Sequence, residues 1–259
     1  MTRTTPSTSP DEDSPTSALA SAPGRATVET PDAAVRAAYA RREARAADAR
    51  YSWFDPGYVA MMHELEHATL LTLSRELTTP LDAVHVLDVG CGRGDWLSQL
   101  VKWGATPQRL TGVDLLPERV ALARLLCAPG VAVSCASATR LPYVAHSFDV
   151  VLQATVMTSI LDRDVRHAVA AEMARVLRPS GFILWYDFVV DNPRNRDVRG
   201  VTIREMGELF PGWRIGARRV TLAPPLLRPL ARRSLLMAQL LSRVPLLRTH
   251  SLAVLRPPG

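Results

Sequence analysis

The chain has 259 residues, 47% of them hydrophobic, and a formal charge of +6 in which Lys102 is the only lysine. Its length allows one large domain or one domain with extensions, and no apolar run reaches the roughly 18 residues a membrane-spanning helix needs. Three cysteines, odd in number and without zinc-ligand spacing, exclude a disulfide scaffold and predict a reduced, cytoplasmic setting.

Residues 1–32 are rich in Ser, Thr, Pro, Asp and Glu and lack the apolar core of a signal peptide, which predicts a disordered acidic tail. Thr30-Pro31-Asp32 is a helix start, with a cap residue, a first-turn proline and an early acid, and the helix should run to about Ala49. Tyr51, Trp53 and Phe54 form an aromatic linker to a second helix over about Gly57–Glu76. Residues 33–80 are thus expected as a helical extension or lid. That second helix contains His63-Glu64-Leu65-Glu66-His67, a literal H-E-x-x-H, which opens the alternative of a zinc peptidase. Against it stand the charged Glu66, the leucines Leu70 and Leu73 where a longer motif needs glycine and histidine, and the absence of a supported third ligand. An amphipathic helix with Met61, Leu65 and Ala68 on its buried side accounts for the same residues, so no metal site is assigned.

From Val84 the pattern changes. Val84, Val86, Leu87 and Val89 read as a buried strand that ends in a turn bearing Gly90, Gly92 and Gly94, followed by a helix start. Such a turn brings backbone N–H groups close to a ligand. Its third glycine falls one place early for a dinucleotide fingerprint, with Asp95 in the expected glycine position. Leu110–Asp114 is a second strand ending in a carboxylate able to accept two hydrogen bonds from ribose hydroxyls, and Val131–Cys135 is a third. Ser147–Gln153 is a fourth, and Glu172–Trp185 reads as helix, turn and strand. Alternating strands and helices from Val84 to Phe188 predict a parallel sheet with helices on both faces. Trp213–Leu222 and Ser251–Leu255 read as closing strands around a Leu- and Arg-rich segment, Leu226–Leu247.

The pattern Asp88-x-Gly90-x-Gly92-x-Gly94 resembles motif I of the class I S-adenosylmethionine (SAM)-dependent methyltransferases. The run Ala136-Ser-Ala-Thr-Arg-Leu-Pro-Tyr143, the segment Ser147-Phe-Asp-Val-Val and Arg175-Val-Leu-Arg-Pro-Ser-Gly181 resemble later family segments in order, over roughly residues 84–188. The resemblance implies an α/β, doubly wound, seven-stranded Rossmann-like sheet over residues 81–259, closed by an antiparallel C-terminal strand pair. It implies SAM as cofactor, held by Asp88, Gly90, Cys91, Gly92, Gly94, Asp114, Leu115, Ser137, Ala138, Thr139 and Gln153. Asp114 would bind the ribose and Leu115 flank the adenine. Ser137 stands where the family usually has the aspartate that meets the adenine amino group.

Methyl transfer from a sulfonium chiefly requires alignment and exclusion of water, with a general base for some oxygen acceptors. Asp187, Tyr186 and His250 are the candidate catalytic residues, and Tyr51, Phe54, Thr155, Arg194 and Arg199 the candidate substrate contacts. The expected acceptor is a small molecule or glycan; an RNA- or protein-modifying enzyme is the alternative, although no appended RNA-binding module is visible, and DNA is not expected. The Leu226–Leu247 segment, with Arg228, Arg232, Arg233 and Arg243 among leucines, also admits peripheral membrane contact, though Pro229 and Pro245 interrupt it.

Overall fold

The computed structural model describes residues 33, 36–37, 52–191 and 195–258. The expected acidic tail, most of the first helix, Tyr51 and Arg194 lie outside the described residues. Seven strands form one sheet in the order β3-β2-β1-β4-β5-β7-β6: β1 Val86–Val89, β2 Leu110–Asp114, β3 Ala132–Cys135, β4 Phe148–Ala154, β5 Leu177–Phe188, β6 Arg214–Leu222 and β7 Arg248–Arg256. Strands β1 to β5 pair in parallel, and β7 enters antiparallel between β5 and β6. The sheet is therefore the seven-stranded, mostly parallel one expected, with β7 alone reversed.

Both faces are covered, which is why β1 reads as a continuous apolar run rather than an alternating one. On one face Leu87, Val151, Ile183 and Trp185 pack with α4 (Arg163–Val176) and α5 (Ile203–Leu209) through Val169, Met173 and Met206. On the other, Val86, Leu152 and Leu184 meet α1 (Pro56–Glu76), α2 (Asp95–Lys102) and α3 (Pro117–Leu126) through Leu65, Leu73, Leu97, Leu100 and Val120. The chain winds outward from β1 to β3 and then returns to β4 on the other side of β1. Ligands bind at the carboxyl ends of the strands beside such a switch point.

Helix α1 is pinned at both ends. Asp55 caps it by accepting from the Tyr58 N–H at 2.9 Å and pairs with Arg232 at 2.5 Å. Glu76 pairs with Arg256 at the opposite edge of the sheet at 2.9 Å. The helix thus lies along the sheet, and only its first turn reaches the carboxyl edge. There it meets α6 (Pro224–Arg233) and α7 (Leu235–Leu241), the two short helices into which the Leu- and Arg-rich segment folds, around Leu222, Leu227, Ala231 and Ala238.

One buried cation holds the loops behind the sheet edge. Arg166 of α4 is fully buried; its guanidinium donates to the Ile160 carbonyl at 2.6 Å, to Glu205 at 2.5 Å and to the Arg199 carbonyl at 3.3 Å. Removing it leaves Glu205 and two carbonyls short of a donor, at a cost of about 3 kcal/mol. We expect Arg166→Met to lower the urea midpoint by that amount, and Arg166→Met/Glu205→Leu to recover much of the loss. A double variant no more stable than the single one would show that the ion pair is not what ties these loops.

Candidate active site

Strands β1, β2 and β3 end side by side, in the register Asp88 with Gly112 and Asp114 with Cys135. Their tips bring together Asp88, the glycine turn, Asp114, Leu115 and the Ser137–Thr139 turn. The turn is tied to the next strand: Gly90 and Cys91 N–H donate to the Val113 carbonyl at 2.7 and 3.0 Å, and Gly92 N–H donates to Asp114 Oδ2 at 2.9 Å. Leu116 N–H donates to Asp114 Oδ1 at 2.9 Å. Two backbone donors therefore fix the Asp114 carboxylate at the strand tip, and each oxygen keeps acceptor capacity for a ligand hydroxyl.

The turn glycines have different reasons. Gly90 and Gly92 both adopt left-handed backbone, at φ 70° and 56°. A Cβ on Gly90 would lie 2.4 Å from a Val156 methyl, so this glycine permits packing against the loop after β4. A Cβ on Gly92 would meet only an Arg119 nitrogen at 4.0 Å, so the turn at Gly92 opens onto unfilled space. Cys91 points inward, toward Gly112, and burial raises its thiol pKa further above its ordinary value.

Asp88 is 1% exposed, and its Oδ2 has no hydrogen-bond partner among the described residues. Burial, then the charges of Asp114 and Asp95, raise its pKa well above the ordinary carboxylate value. A buried acceptor without a donor is costly, and this one lies beside the open glycine turn. In the Ser137–Thr139 turn the two hydroxyls lie 2.8 Å apart, and Ser137 Oγ also accepts from Thr139 N–H at 3.3 Å. Ser137 thus acts locally as a turn-former, in the position where the resemblance implies a carboxylate.

The tips of β4 and β5 hold a second polar group. Gln153 is fully buried; its Nε2 donates to Asp187 Oδ2 at 2.9 Å and its Oε1 accepts from Val156 N–H at 3.2 Å. Thr158 Oγ1 donates to Asp187 Oδ1 at 2.7 Å. Burial raises the Asp187 pKa to about 7. Gln153 and Asp187 therefore satisfy each other inside the protein instead of facing an open cleft. Thr155, between them and solvent, is exposed and holds φ 59°, an uncommon backbone for a β-branched residue. Its N–H donates to the Tyr186 carbonyl at 2.8 Å.

The opposite face of β5 carries Tyr186, buried, with its hydroxyl 3.0 Å from that of Thr221. The His250 ring stacks on Tyr186 with centroids 5.1 Å apart, and its Nδ1 lies 3.1 Å from Thr249 Oγ1. Burial lowers the His250 pKa to about 4, so its ring is neutral at neutral pH. Glu64, the glutamate of the H-E-x-x-H sequence, turns inward and accepts from Thr221 N–H at 3.1 Å, while His63 and His67 are exposed. Among the described residues, no group of three His, Cys, Asp or Glu side chains could hold a metal ion.

Two expected substrate contacts lie elsewhere. Phe54 is 98% exposed. Arg199 pairs with Glu205 and lines a shallow cleft of about 200 Å³ with Arg163, Thr202, Arg204 and Glu208, where the two acids offset the arginines. Thr158, Thr221 and Arg166 carried no motif; their roles depend on partners roughly 30 to more than 150 residues away in sequence, beyond the reach of any local pattern.

Comparison with known proteins agrees with this geometry. Residues 86–181 match a family described as "Methyltransferase domain". The chain is 32% identical over 129 residues to the O-methyltransferase cnsE of Penicillium expansum, covering 47% of this chain and 45% of that protein. It is 35% identical over 147 residues to the methyltransferase GfsG of Streptomyces halstedii, covering 53% and 49%. The chain thus spans about half the length of these relatives. A SAM-dependent methyltransferase structure from Methanosarcina mazei superimposes with a TM-score of 0.52 at 17% identity, over 73% of this chain and 98% of that one, and so shares the fold. The residues fit the family's cofactor. Asp88 Oδ2 is a buried acceptor without a partner among the described residues, Gly92 leaves open space at the turn, and the Asp114 carboxylate is fixed by two backbone donors with acceptor capacity to spare. Residues 86–181 thus carry a methyltransferase domain, on a fold shared with SAM-dependent methyltransferases.

Proposed function

We propose that this protein methylates a hydroxyl group on a small molecule. The observation that carries the SAM-binding half is the unpartnered Asp88 oxygen beside the open Gly92 turn. When bound, SAM supplies a methyl group already activated by the positive sulfur. Asp88 would accept from the cofactor's ammonium group and Asp114 from its ribose hydroxyls, with the open Gly92 turn permitting the approach. The hydroxyl acceptor is favoured by the O-methyltransferase among the relatives and by His250, whose neutral ring lies at the carboxyl edge of the sheet. With Nδ1 engaged by Thr249, His250 Nε2 accepts the proton of the acceptor hydroxyl. Tyr186 holds that ring by stacking, and the Gln153–Asp187–Thr158 group positions the loop after β4.

Calorimetric titration with SAM tests the first half: the wild type should bind, and Asp88→Ala should weaken binding about 30-fold, as expected when a buried charge-assisted hydrogen bond is lost. A wild type that takes up no SAM would sink the reading. Transfer of labelled methyl into a fractionated cell extract tests the second, and label confined to RNase- or protease-sensitive material would replace the small-molecule acceptor with RNA or protein.

His250→Gln should lower kcat about 100-fold and leave SAM affinity unchanged. In the wild type, activity should hold steady down to about pH 5 and fall only as His250 protonates near its lowered value of about 4. An inflection near 6.5 that persists in His250→Gln would assign the titration to another group and exclude His250 as the base.

Asp187 makes a separate pH prediction. Its folded pKa of about 7 lies above the ordinary 3.8, so it contributes stability that is complete below about pH 4 and is lost as pH rises through 7. Asp187→Asn removes that loss, and relative to wild type it should gain about 4 kcal/mol of stability between pH 4 and 8. Any slope from His250 is common to both proteins and cancels. A constant difference across the range would place an ordinary pKa on Asp187.

A further inference from the structure

Helix α7 is packed the wrong way round for a helix covering a core. Its small residue Ala238 faces inward at 1% exposure, while Leu235, Leu236 and Leu240 are about half exposed or more. Leu246, in the short turn that follows, is 95% exposed, and Phe54 at the adjoining end of α1 is 98% exposed. The pair Asp55–Arg232 joins these two ends, so the apolar side chains gather at one edge of the molecule. Isolated exposed leucines are ordinary, but five large apolar side chains exposed on adjoining elements mark a surface that meets something.

The charge around the cluster indicates what it meets. Residues 209–259 hold nine arginines and no acidic residue. Arg232 and Arg233 close α6, Arg243 follows α7, and Arg228 lies against the first turn of α1. The Arg232 side chain stays 58% exposed while paired with Asp55. Leucines projecting from a short helix with arginines at its margins match an acyl-chain boundary beneath anionic headgroups. Helices α6 and α7 follow directly from the carboxyl end of β6, on the same edge as the proposed acceptor site. Among the described residues no helix is long and apolar enough to cross a membrane, so the contact is peripheral.

We propose that the α6–α7 cap docks the protein on the surface of an anionic lipid bilayer, with Leu236, Leu240 and Leu246 entering the interface and Arg233 and Arg243 facing the headgroups. This inference does not depend on the methyl-transfer reading. Its test is co-sedimentation of the full chain with phosphatidylcholine vesicles, with and without phosphatidylglycerol. The expected result is binding to the phosphatidylglycerol vesicles alone, weakening at least tenfold between about 50 mM and about 300 mM salt. Arg233→Glu/Arg243→Glu and Leu236→Asp/Leu246→Asp should each reduce binding tenfold or more, whereas Arg204→Glu, an exposed charge on α5, should not. Thermal melts of each variant separate loss of docking from loss of fold, and the arginine pair, which alters no packed side chain, decides should the leucine pair unfold. Failure of the wild type to sediment at low salt, equal binding to neutral vesicles, or binding unchanged in both double variants would overturn the proposal. So would a dimer in solution that dissolves in the leucine variant, since the cap would then bind a second copy.

Discussion

The bond from Gly92 N–H to the Asp114 carboxylate is the tie on which the proposed cofactor site depends. It fastens the turn leaving β1 to the tip of β2 across 22 residues of sequence. The Gly90 and Cys91 N–H groups reinforce it on the Val113 carbonyl. A glycine-rich turn is otherwise loose, because each glycine loses more backbone freedom on ordering than any other residue. Spending three backbone donors on β2 offsets that entropy. The Gly92 Cβ position stays open, and Asp88 Oδ2, at the end of β1, has no partner among the described residues.

The rest of the sheet explains why polarity collects there. Strands buried on both faces offer no room for side-chain charge along their length. Asp88, Asp114, Gln153 and Asp187 accordingly all fall at or next to strand tips. Those four divide into two kinds. Gln153 and Asp187 are paired with each other and with Thr158, and so stiffen the edge. Among the described residues Asp88 keeps an unused oxygen, and Asp114 keeps free lone pairs, which fits the ligand contacts proposed for them. Burial alone does not distinguish the two kinds; hydrogen-bond accounting does.

The C-terminal third follows another logic. Inserting β7 antiparallel between β5 and β6 brings His250 opposite Phe188 and Val220 and onto the Tyr186 ring. The connection that makes this insertion possible is the α6–α7 cap, which also places leucines and arginines on the outer edge. One topological feature therefore supplies both the histidine beside the proposed acceptor site and the surface beside its entrance.

The sequence by itself determined the strand and helix order, the glycine turn and the acids at Asp88 and Asp114, because these are written in local periodicity and short spacing. It also marked the two closing strands around a Leu- and Arg-rich segment. Only the tertiary structure decided what pairs with what. Glu64 looks like a metalloprotease glutamate in sequence, yet it caps the Thr221 N–H 157 positions away. Arg199 looks like an anion clamp, yet it is held by Glu205. Asp187 stands at a strand end like a base, yet Gln153 and Thr158 occupy both its oxygens. The physical reason is common to all three. The periodicity of a chain says which face a side chain takes, but its partner across the fold sets whether a charge is free, paired or buried, and no local pattern encodes that distance.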